Sequence, residues 1–172
     1  FLIWRMSRNI VSTSLFALNP LIIIETLVSG HNDIVMMFLV LFSFFLLMRK
    51  KIVFSIVFFL LSIAIKYATL FLLPLFVFLL WKSFRKKSIN WEKTFYISFL
   101  FMLLAFLLSP LREEIYPWYA IWFLPFASLL HKNKLFIFLA FAFSFGLLLR
   151  YIPFMLLGTH FGLTPIVKIL VT

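Results

Sequence analysis

The amino-acid sequence predicts an all-α fold, a polytopic bundle of about eight short transmembrane helices that includes a half-deep hairpin. Hydrophobic residues make up 65% of the 172 residues and charged residues only 12%, whereas soluble domains carry about 25% charged residues. Long uncharged runs alternate with short basic clusters, a pattern typical of helices that cross a bilayer. The lipid bilayer is therefore the first partner that the sequence predicts.

The apolar runs define the helices in chain order. We predict helices over residues 10–28, 33–48, 52–65, 68–81, 94–108, 118–130, 135–149 and 154–171. Prolines such as Pro20, Pro74, Pro125 and Pro153 fall within these segments or at their starts, where neighbouring groups can satisfy the freed carbonyls. The eight helices form a single transmembrane region over residues 1–172. Because the chain opens in an apolar stretch without an initiator methionine, we expect it to be the C-terminal part of a longer protein.

The charges predict the orientation of these helices. Polar breaks form two sets that alternate along the chain, and one set, at residues 5–8, 49–51, 82–93 and 132–134, holds 12 of the 16 basic residues. Cytoplasmic loops of membrane proteins carry an excess of lysine and arginine. The basic set is therefore predicted to be cytoplasmic. The other set, at residues 29–33, 109–117 and 150–160, is predicted to lie on the outer side.

This alternation requires residues 52–81 to enter the membrane and return. Lys66 marks the predicted turn, and each arm has about 14 apolar residues. Such an arm spans roughly 21 Å, less than a hydrocarbon core of about 30 Å, which predicts a half-deep hairpin. The alternative is one long, tilted helix with Lys66 in the middle of the membrane.

Polar residues gather on the predicted outer side. Ionisable groups at membrane depth are costly and usually face a cavity or one another, so their convergence indicates a functional site. Glu25 lies in an apolar run, where an unpaired carboxylate would either take up a proton or pair with a cation, and Lys66 is a plausible partner. The ionisable residues of this side are Glu25, His31, Asp33, Lys66, Arg112, Glu113 and Glu114.

Each of these residues also has a structural interpretation. Asp33 is suited to cap the following helix, and Lys66 can extend to the lipid headgroups instead of binding a phosphate. Arg112 has the guanidinium fork that suits phosphate, although a loop arginine is usually solvated. The aromatic run Tyr116-Pro117-Trp118-Tyr119 fits either a membrane-interface belt or a surface that stacks on sugars.

Composition excludes several other chemistries. The chain has no cysteine, so it offers neither disulfides nor thiolate ligands. The net charge of +11 is distributed as membrane-orienting clusters, which argues against nucleic-acid binding. His31 and Asp33 form an incomplete ligand set, so no metal site is predicted. No cofactor is required by these residues, and a divalent metal stays an open alternative.

Several strings resemble a known family. They are N-P-L-I-I-I-E-T-L-V-S-G-H-N-D at 19–33, the basic residues 49–51, Lys66 followed by Pro74, and Y-P-W-Y-A-I-W-F-L-P at 116–125. Together they cover roughly residues 15 to 130. This pattern resembles the GT-C superfamily of membrane glycosyltransferases, and more narrowly the bacterial polyprenol-phosphate-mannose-dependent alpha-(1→6)-mannopyranosyltransferases.

The resemblance implies an enzyme of the bacterial cytoplasmic membrane whose active face is extracytoplasmic. It would move a hexose, mannose, from a polyprenyl-phosphate donor to a glycan or lipid-linked acceptor with inversion. Lys66 and Arg112 would bind the phosphate. The substrate would contact Glu25, His31, Asn32, Asp33, Tyr116, Trp118 and Tyr119. Glu25 would also orient Lys66 or His31. The family's catalytic Asp is expected upstream of Phe1, so the catalytic base is unknown and activity of this chain alone stays open.

Two other function classes remain. A secondary transporter also has broken helices and buried charges, but its site usually lies near the bilayer midplane between repeats, and the sequence shows no repeat. A non-catalytic subunit that packs against other membrane helices is the third alternative.

Overall fold

The computed structural model describes residues 1–111, 116–132, 134–152 and 155, and in these ranges the regular structure is entirely helical. This confirms the predicted all-α membrane bundle. The α-helices are α1 (Leu2–Ser7), α2 (Ile10–Ala17), α3 (Pro20–Ile23), α4 (Asp33–Met48), α5 (Ile52–Ile65), α6 (Leu73–Phe84), α7 (Trp91–Leu108), α8 (Leu124–Leu129) and α9 (Lys134–Leu149). The predicted helix over 154–171 lies outside the described residues.

The length and the apolar composition of the helices identify candidate membrane-spanning segments. Tyr67–Phe84 and Trp91–Leu108 are each long and apolar enough to cross a membrane, and the bent pair Ile10–Ala17 and Pro20–Val28 is a third candidate. Large apolar side chains such as Val53, Phe54 and Phe138 are more than half exposed. Exposed apolar surface on this scale needs lipid around it. The chain is a membrane protein.

The predicted helix over 10–28 is broken at Asn19. The Asn19 side chain accepts hydrogen bonds from the backbone N–H groups of Leu21 and Ile22, and Pro20 occupies the first turn. This combination of cap and proline starts a new helix, and the two halves are bent by 55°. The Asn19 amide also donates to the Ser144 hydroxyl at 3.0 Å, which ties the break to α9.

The helices α4 and α5 form a hairpin with the predicted bounds. Lys50 adopts a left-handed conformation, with φ of 59°, at the turn between them. The Ser43 and Ser55 hydroxyls, both buried, bond to each other's backbone carbonyls at 2.8 and 2.9 Å. These paired hydroxyls satisfy each other between two apolar helices and fix their alignment.

The chain reverses at Lys66, as predicted. Lys66 is extended, and the next residues, Tyr67–Leu72, form a 3₁₀-helix that leads into α6. The rings of Phe59 and Phe76 stack with centroids 4.0 Å apart, whereas one continuous helix would separate them by roughly 25 Å. The alternative of a single long helix is therefore wrong. The second arm, Tyr67–Phe84, is longer than predicted, and the depth of the hairpin stays a prediction.

The second half of the chain places an aromatic segment inside the bundle. Pro117–Trp122 forms a 3₁₀-helix, and Pro125 lies in the first turn of α8, so the predicted helix over 118–130 has two parts. Phe123 and Phe126 are buried against α4 and α7, with Phe126 6.0 Å from Phe44 and Phe123 5.5 Å from Phe106. The apolar core therefore holds the 3₁₀-helix against the start of α4.

Candidate functional site

Two carboxylates, Glu25 and Asp33, are completely buried in the structure. A buried carboxylate is strongly destabilising unless it is paired and hydrogen-bonded. Each of the two has partners from distant parts of the chain. We call Glu25, His31 and Tyr151 the acid–histidine unit, and Asp33, Lys66 and Trp122 the acid–lysine unit.

A glycine turn brings His31 back over Glu25. Ile24–Val28 forms a π-helix, a wide turn that is common at functional sites. Gly30 follows with φ of 65°, a conformation that glycine adopts without steric cost. The His31 backbone N–H then donates to the Glu25 carbonyl at 3.0 Å. The imidazole and the carboxylate therefore lie on the same side of the turn.

The acid–histidine unit surrounds the Glu25 carboxylate. Tyr151 donates its hydroxyl to Glu25 Oε1 at 2.6 Å, and His31 Nδ1 lies 3.1 Å from Glu25 Oε2. That second contact has the distance of an ion pair without the alignment of a hydrogen bond. Burial and, after it, the bond to Glu25 raise the pKa of Tyr151, so Tyr151 stays a proton donor to the carboxylate.

The acid–lysine unit is built on one carboxylate oxygen. Lys66 Nζ lies 2.9 Å from Asp33 Oδ1, and the Trp122 indole N–H donates to the same oxygen. Asp33 Oδ2 is buried and has no hydrogen-bond partner among the described residues. The Lys66 side chain is 29% exposed while that of Asp33 is 1% exposed. Lys66, and not Asp33, is therefore the partly exposed member of the pair.

The position of Asp33 corrects the capping interpretation. Asp33 is the first residue of α4, and Asn32 occupies the cap position without a side-chain cap bond. A carboxylate in the first turn is favoured by the helix dipole, and here it is also bound by Lys66. The Asn32 side chain is exposed, so its predicted contact with substrate stays a prediction.

Four aromatic side chains connect the two units. A 3₁₀-helix has three residues per turn, so Tyr116, Tyr119 and Trp122 follow one edge of Pro117–Trp122. Tyr119 stacks on Trp122 at 4.4 Å, and Lys66 Nζ lies 4.7 and 5.3 Å from the centres of these two rings. We call Tyr116, Trp118, Tyr119 and Trp122 the aromatic ridge.

Trp118 lies between two other rings. Its ring centroid is 4.1 Å from that of His31 and 4.3 Å from that of Tyr116, and all three rings are nearly parallel. Two rings this close cannot share one face of the indole without overlapping, so they cover opposite faces. Trp118 therefore fixes the orientation of His31 and offers no open face to a sugar in this conformation.

A cavity of about 390 Å³ opens beside Lys66. Its lining is mainly apolar, and Lys66 is the charged residue among the residues that line it. The lining residues are Lys66, Tyr67, Ala68, Phe71, Ala105, Leu108, Ser109, Leu111, Tyr119 and Trp122. Such a combination suits a molecule with an anionic group and an apolar chain. The part of the chain that the structure describes contains no group of three or more metal-ligating side chains.

The structure brings together most of the predicted site residues, and Glu25 lies beside His31, one of the two residues that it was expected to orient. Glu25 does not pair with Lys66. The prediction is wrong because the turn at Gly30 places His31 over Glu25, while Lys66 reaches Asp33 at the start of α4. The predicted phosphate ligand Arg112 and the acids Glu113 and Glu114 lie outside the described residues.

Two site residues, Tyr151 and Trp122, are not among the predicted contacts. Trp122 follows Tyr116 and Tyr119 at a spacing of three residues, and this spacing could have indicated that it shares their edge. Tyr151 directly follows α9 and was predicted only to lie in an outer polar break. Its bond to Glu25 joins residues 126 positions apart, which no local pattern reveals.

Comparison with known proteins finds a family similarity in residues 5–83. Residues 5–83 match the model of the MptA/B family, described as alpha-(1->6)-mannopyranosyltransferase, N-terminal domain. No curated protein and no solved structure matches the chain. The matched region contains Glu25, His31, Asp33 and Lys66, whereas the aromatic ridge and Tyr151 lie beyond it. The resemblance to the alpha-(1→6)-mannopyranosyltransferases is thereby confirmed over residues 5–83.

Proposed function

We propose that this chain is a membrane glycosyltransferase, of the GT-C type, that moves a mannose from a polyprenyl-phosphate donor to an acceptor on the outer face of the bacterial cytoplasmic membrane. The family match supports glycosyl transfer in general. The observation that carries the donor assignment is the partly exposed Lys66 side chain at an apolar cavity. A polyprenyl phosphate has the matching parts, an anion and a hydrocarbon chain.

Lys66 is suited to the negative charge of the leaving group. When the bond between the sugar and the phosphate breaks, the electron pair stays on the phosphate oxygen. A cation that is already positioned there stabilises this charge without reorganisation. Asp33 and the rings of Tyr119 and Trp122 hold the ammonium in place from one side, which leaves its remaining N–H groups for a phosphate.

The apolar side of the cavity suits the prenyl chain. Phe71, Ala105, Leu108 and Leu111 line it, and they come from segments that are long enough to cross the membrane or that directly follow one. A prenyl chain could therefore enter from the surrounding lipid while its phosphate stays at Lys66.

Donor binding and transfer in liposomes test this function. The chain would be reconstituted with radiolabelled mannosyl-phosphoryl-polyprenol and a mannoside acceptor, and both bound donor and transferred mannose would be measured. We expect Lys66→Met to weaken donor binding at least tenfold. Lys132→Met is the matched control, because Lys132 also pairs with a carboxylate, at 2.7 Å from Glu92, but is 70% exposed and distant from the cavity.

Three outcomes would contradict the proposal. Equal donor binding by the Lys66 and Lys132 variants would remove Lys66 as the phosphate ligand. The absence of both donor binding and transfer by the unmodified chain would refute the transferase function. Uptake of a soluble sugar into the liposomes, without formation of a glycosidic product, would favour a transporter.

A further inference from the structure

The loop between two candidate membrane spans carries a cluster of positive charge. Tyr67–Phe84 and Trp91–Leu108 are both long and apolar enough to cross a bilayer. The loop that joins them, residues 85–90, therefore lies at a membrane surface. Residues 82–93 contain five basic side chains and one acidic side chain. Anionic groups at that surface therefore meet a strongly positive segment of the chain.

The acidic side chains that the structure describes do not neutralise this cluster. Each acid in the described ranges contacts a basic side chain outside residues 82–87. Glu92, the acid of the segment itself, lies 2.7 Å from Lys132. The side chains of Arg85, Lys86 and Lys87 are exposed. These cations are therefore accessible to an anion from outside the described part of the chain.

The backbone at the end of α6 gathers three of the cations into one turn. The Lys87 backbone N–H donates to the Lys82 carbonyl at 2.9 Å, and Lys86 between them has φ of 52°. Glycine usually occupies this left-handed position at a helix end, because other residues meet a steric cost there. Lys82 in the last turn and Arg85 at the cap already complement the helix dipole. Neither the turn nor the dipole therefore explains a further cation at Lys86.

Exposed aromatic rings lie directly beneath two of these cations. Lys82 Nζ is 5.2 Å from the centre of the Phe78 ring, and Lys87 Nζ is 4.6 Å from that of Trp81. The two rings stack with centroids 6.0 Å apart and are 49% and 45% exposed. Tryptophan at a span end and lysines that extend towards the headgroups are typical of a membrane interface. The end of α6 thus presents cations next to an apolar aromatic surface.

We propose that Lys82, Lys86 and Lys87, which we call the α6 basic turn, bind the headgroup of an anionic glycerophospholipid. The ammonium groups donate to its phosphate oxygens, while Phe78 and Trp81 contact the upper part of its acyl chains. Clusters of basic residues beside membrane-spanning helices attract anionic lipids, by roughly fivefold in affinity for each lysine or arginine. A lysine in the left-handed position adds to this attraction, whereas glycine would not.

The site has a consequence for the other end of the same helical segment. Tyr67–Phe84 begins directly after Lys66 and ends at the α6 basic turn. A phospholipid bound at the turn therefore fixes the depth of the segment that leads to Lys66. This inference does not depend on the proposed glycosyl transfer, because it needs only the membrane location of the chain.

Quenching of Trp81 by brominated lipids tests the proposal. The chain in neutral detergent micelles would be titrated with phosphatidylglycerol or phosphatidylcholine whose acyl chains carry bromine, which quenches tryptophan fluorescence on contact. The difference from Trp81→Phe isolates the Trp81 signal. We expect phosphatidylglycerol to quench Trp81 at a concentration at least tenfold below that of phosphatidylcholine. Combining Lys82→Met with Lys87→Met should weaken phosphatidylglycerol more than tenfold and leave phosphatidylcholine unchanged.

A glycine substitution separates lipid binding from folding. Lys86→Gly removes one cation and the steric cost of its left-handed backbone, so it should bind phosphatidylglycerol roughly fivefold more weakly while unfolding at a higher temperature. Lys50→Gly is the matched control, because Lys50 has φ of 59° in the same kind of turn at the end of α4. It should also unfold at a higher temperature but leave the quenching of Trp81 unchanged.

Four outcomes would overturn the proposal. Equal quenching of Trp81 by the two lipids would show that the site does not select an anionic headgroup. Unchanged phosphatidylglycerol affinity in the Lys82 and Lys87 double variant would leave these lysines with a role in orientation alone. Equal losses in Lys50→Gly and Lys86→Gly would assign the preference to net charge and not to the α6 basic turn. Displacement of phosphatidylglycerol by soluble polyglutamate at equal charge would indicate an acidic protein partner in place of the lipid.

Discussion

The acid–histidine and acid–lysine units have the same arrangement of groups and differ in the nitrogen-containing side chain that the carboxylate contacts. In each unit a completely buried carboxylate holds a partly exposed nitrogen base next to an aromatic ring. The Lys66 ammonium group lies over the rings of Tyr119 and Trp122. His31 lies beside a carboxylate that has a second donor in Tyr151. The acid–lysine unit therefore suits anion binding, whereas the acid–histidine unit holds a stacked imidazole against a carboxylate that is itself hydrogen-bonded.

The two carboxylates lie close in sequence but obtain their partners differently. Glu25 and Asp33 flank the Gly30 turn, and Glu25 contacts His31 of the same turn. Asp33 depends on Lys66, which is held at the reversal between α5 and the 3₁₀-helix Tyr67–Leu72. One unit is therefore largely a product of local geometry, and the other depends on the packing of a hairpin.

Neutralising Asp33 should have the largest effect on stability. Asp33→Asn leaves the Lys66 cation without its partner, and breaking a buried pair in this way costs about 3–5 kcal/mol. Because Lys66 is 29% exposed, solvent reduces this figure, and we expect a loss of about 2–3 kcal/mol in the free energy of unfolding. Denaturant titration in mixed micelles measures it.

An exposed pair provides the comparison for Asp33. Glu92→Gln breaks the pair with Lys132, whose two side chains are 59% and 70% exposed, and should change the free energy of unfolding by less than about 0.5 kcal/mol. Lys66→Met combined with Asp33→Asn should recover part of the loss, because neither charge of the Lys66–Asp33 pair then remains. Equal effects of Asp33→Asn and Glu92→Gln would show that burial of the acid–lysine pair has no energetic consequence.

Several parts of this architecture follow from local sequence. The helices α4 and α5 have the predicted bounds because the charged residues at 49–51 separate two uninterrupted apolar runs. The reversal at Lys66 follows from the charge alternation. The break at Asn19 is missed because the apolar pattern continues through it, and only the side-chain cap on Leu21 and Ile22 divides the helix.

The partners of the site residues were less predictable. The charge pattern predicts that Glu25, His31, Asp33 and Lys66 lie on one side of the membrane. It does not predict which acid pairs with which base. That choice depends on the path of a turn, where Gly30 has φ of 65°, and on the packing of α5. The contact of Tyr151 with Glu25 depends on how α9 packs near the start of the chain. The spacing of residues in the sequence does not reveal this packing.

Removing the tyrosine hydroxyl should have an intermediate effect on the acid–histidine unit. Tyr151→Phe leaves Glu25 Oε1 without the donor that lies 2.6 Å away, and hydrogen bonds to charged groups contribute about 1.5–3 kcal/mol. Because Tyr151 is only partly buried, we expect a loss near the lower end, about 1.5 kcal/mol, by denaturant titration. If Glu25 acts only through His31, donor binding should stay unchanged while transfer slows.

Tyr67→Phe is the matched control for Tyr151. The Tyr67 side chain is largely exposed at the cavity beside Lys66, so its substitution should leave the free energy of unfolding within about 0.5 kcal/mol, as is usual for surface positions. A loss of donor binding in Tyr151→Phe, with a normal transfer rate for the donor that still binds, would mean that the acid–histidine unit belongs to donor recognition.

The smallest expected change in the free energy of unfolding is that of Gly30→Ala, which tests whether the turn at Gly30 positions His31 without affecting the acid–lysine unit. A Cβ atom added at Gly30 would meet no atom within 4 Å, but φ of 65° is unfavourable for alanine, with a cost of about 1 kcal/mol. Gly146 also has free space and lies inside α9 without a positive φ, so Gly146→Ala should stabilise the chain by about 0.5–1 kcal/mol. The two substitutions should therefore shift the free energy of unfolding in opposite directions.

Since the turn carries His31, Gly30→Ala should also slow transfer while donor binding at Lys66 is unchanged. A parallel loss of donor binding would show that the turn positions Asp33 as well as His31, and that the two units act as one.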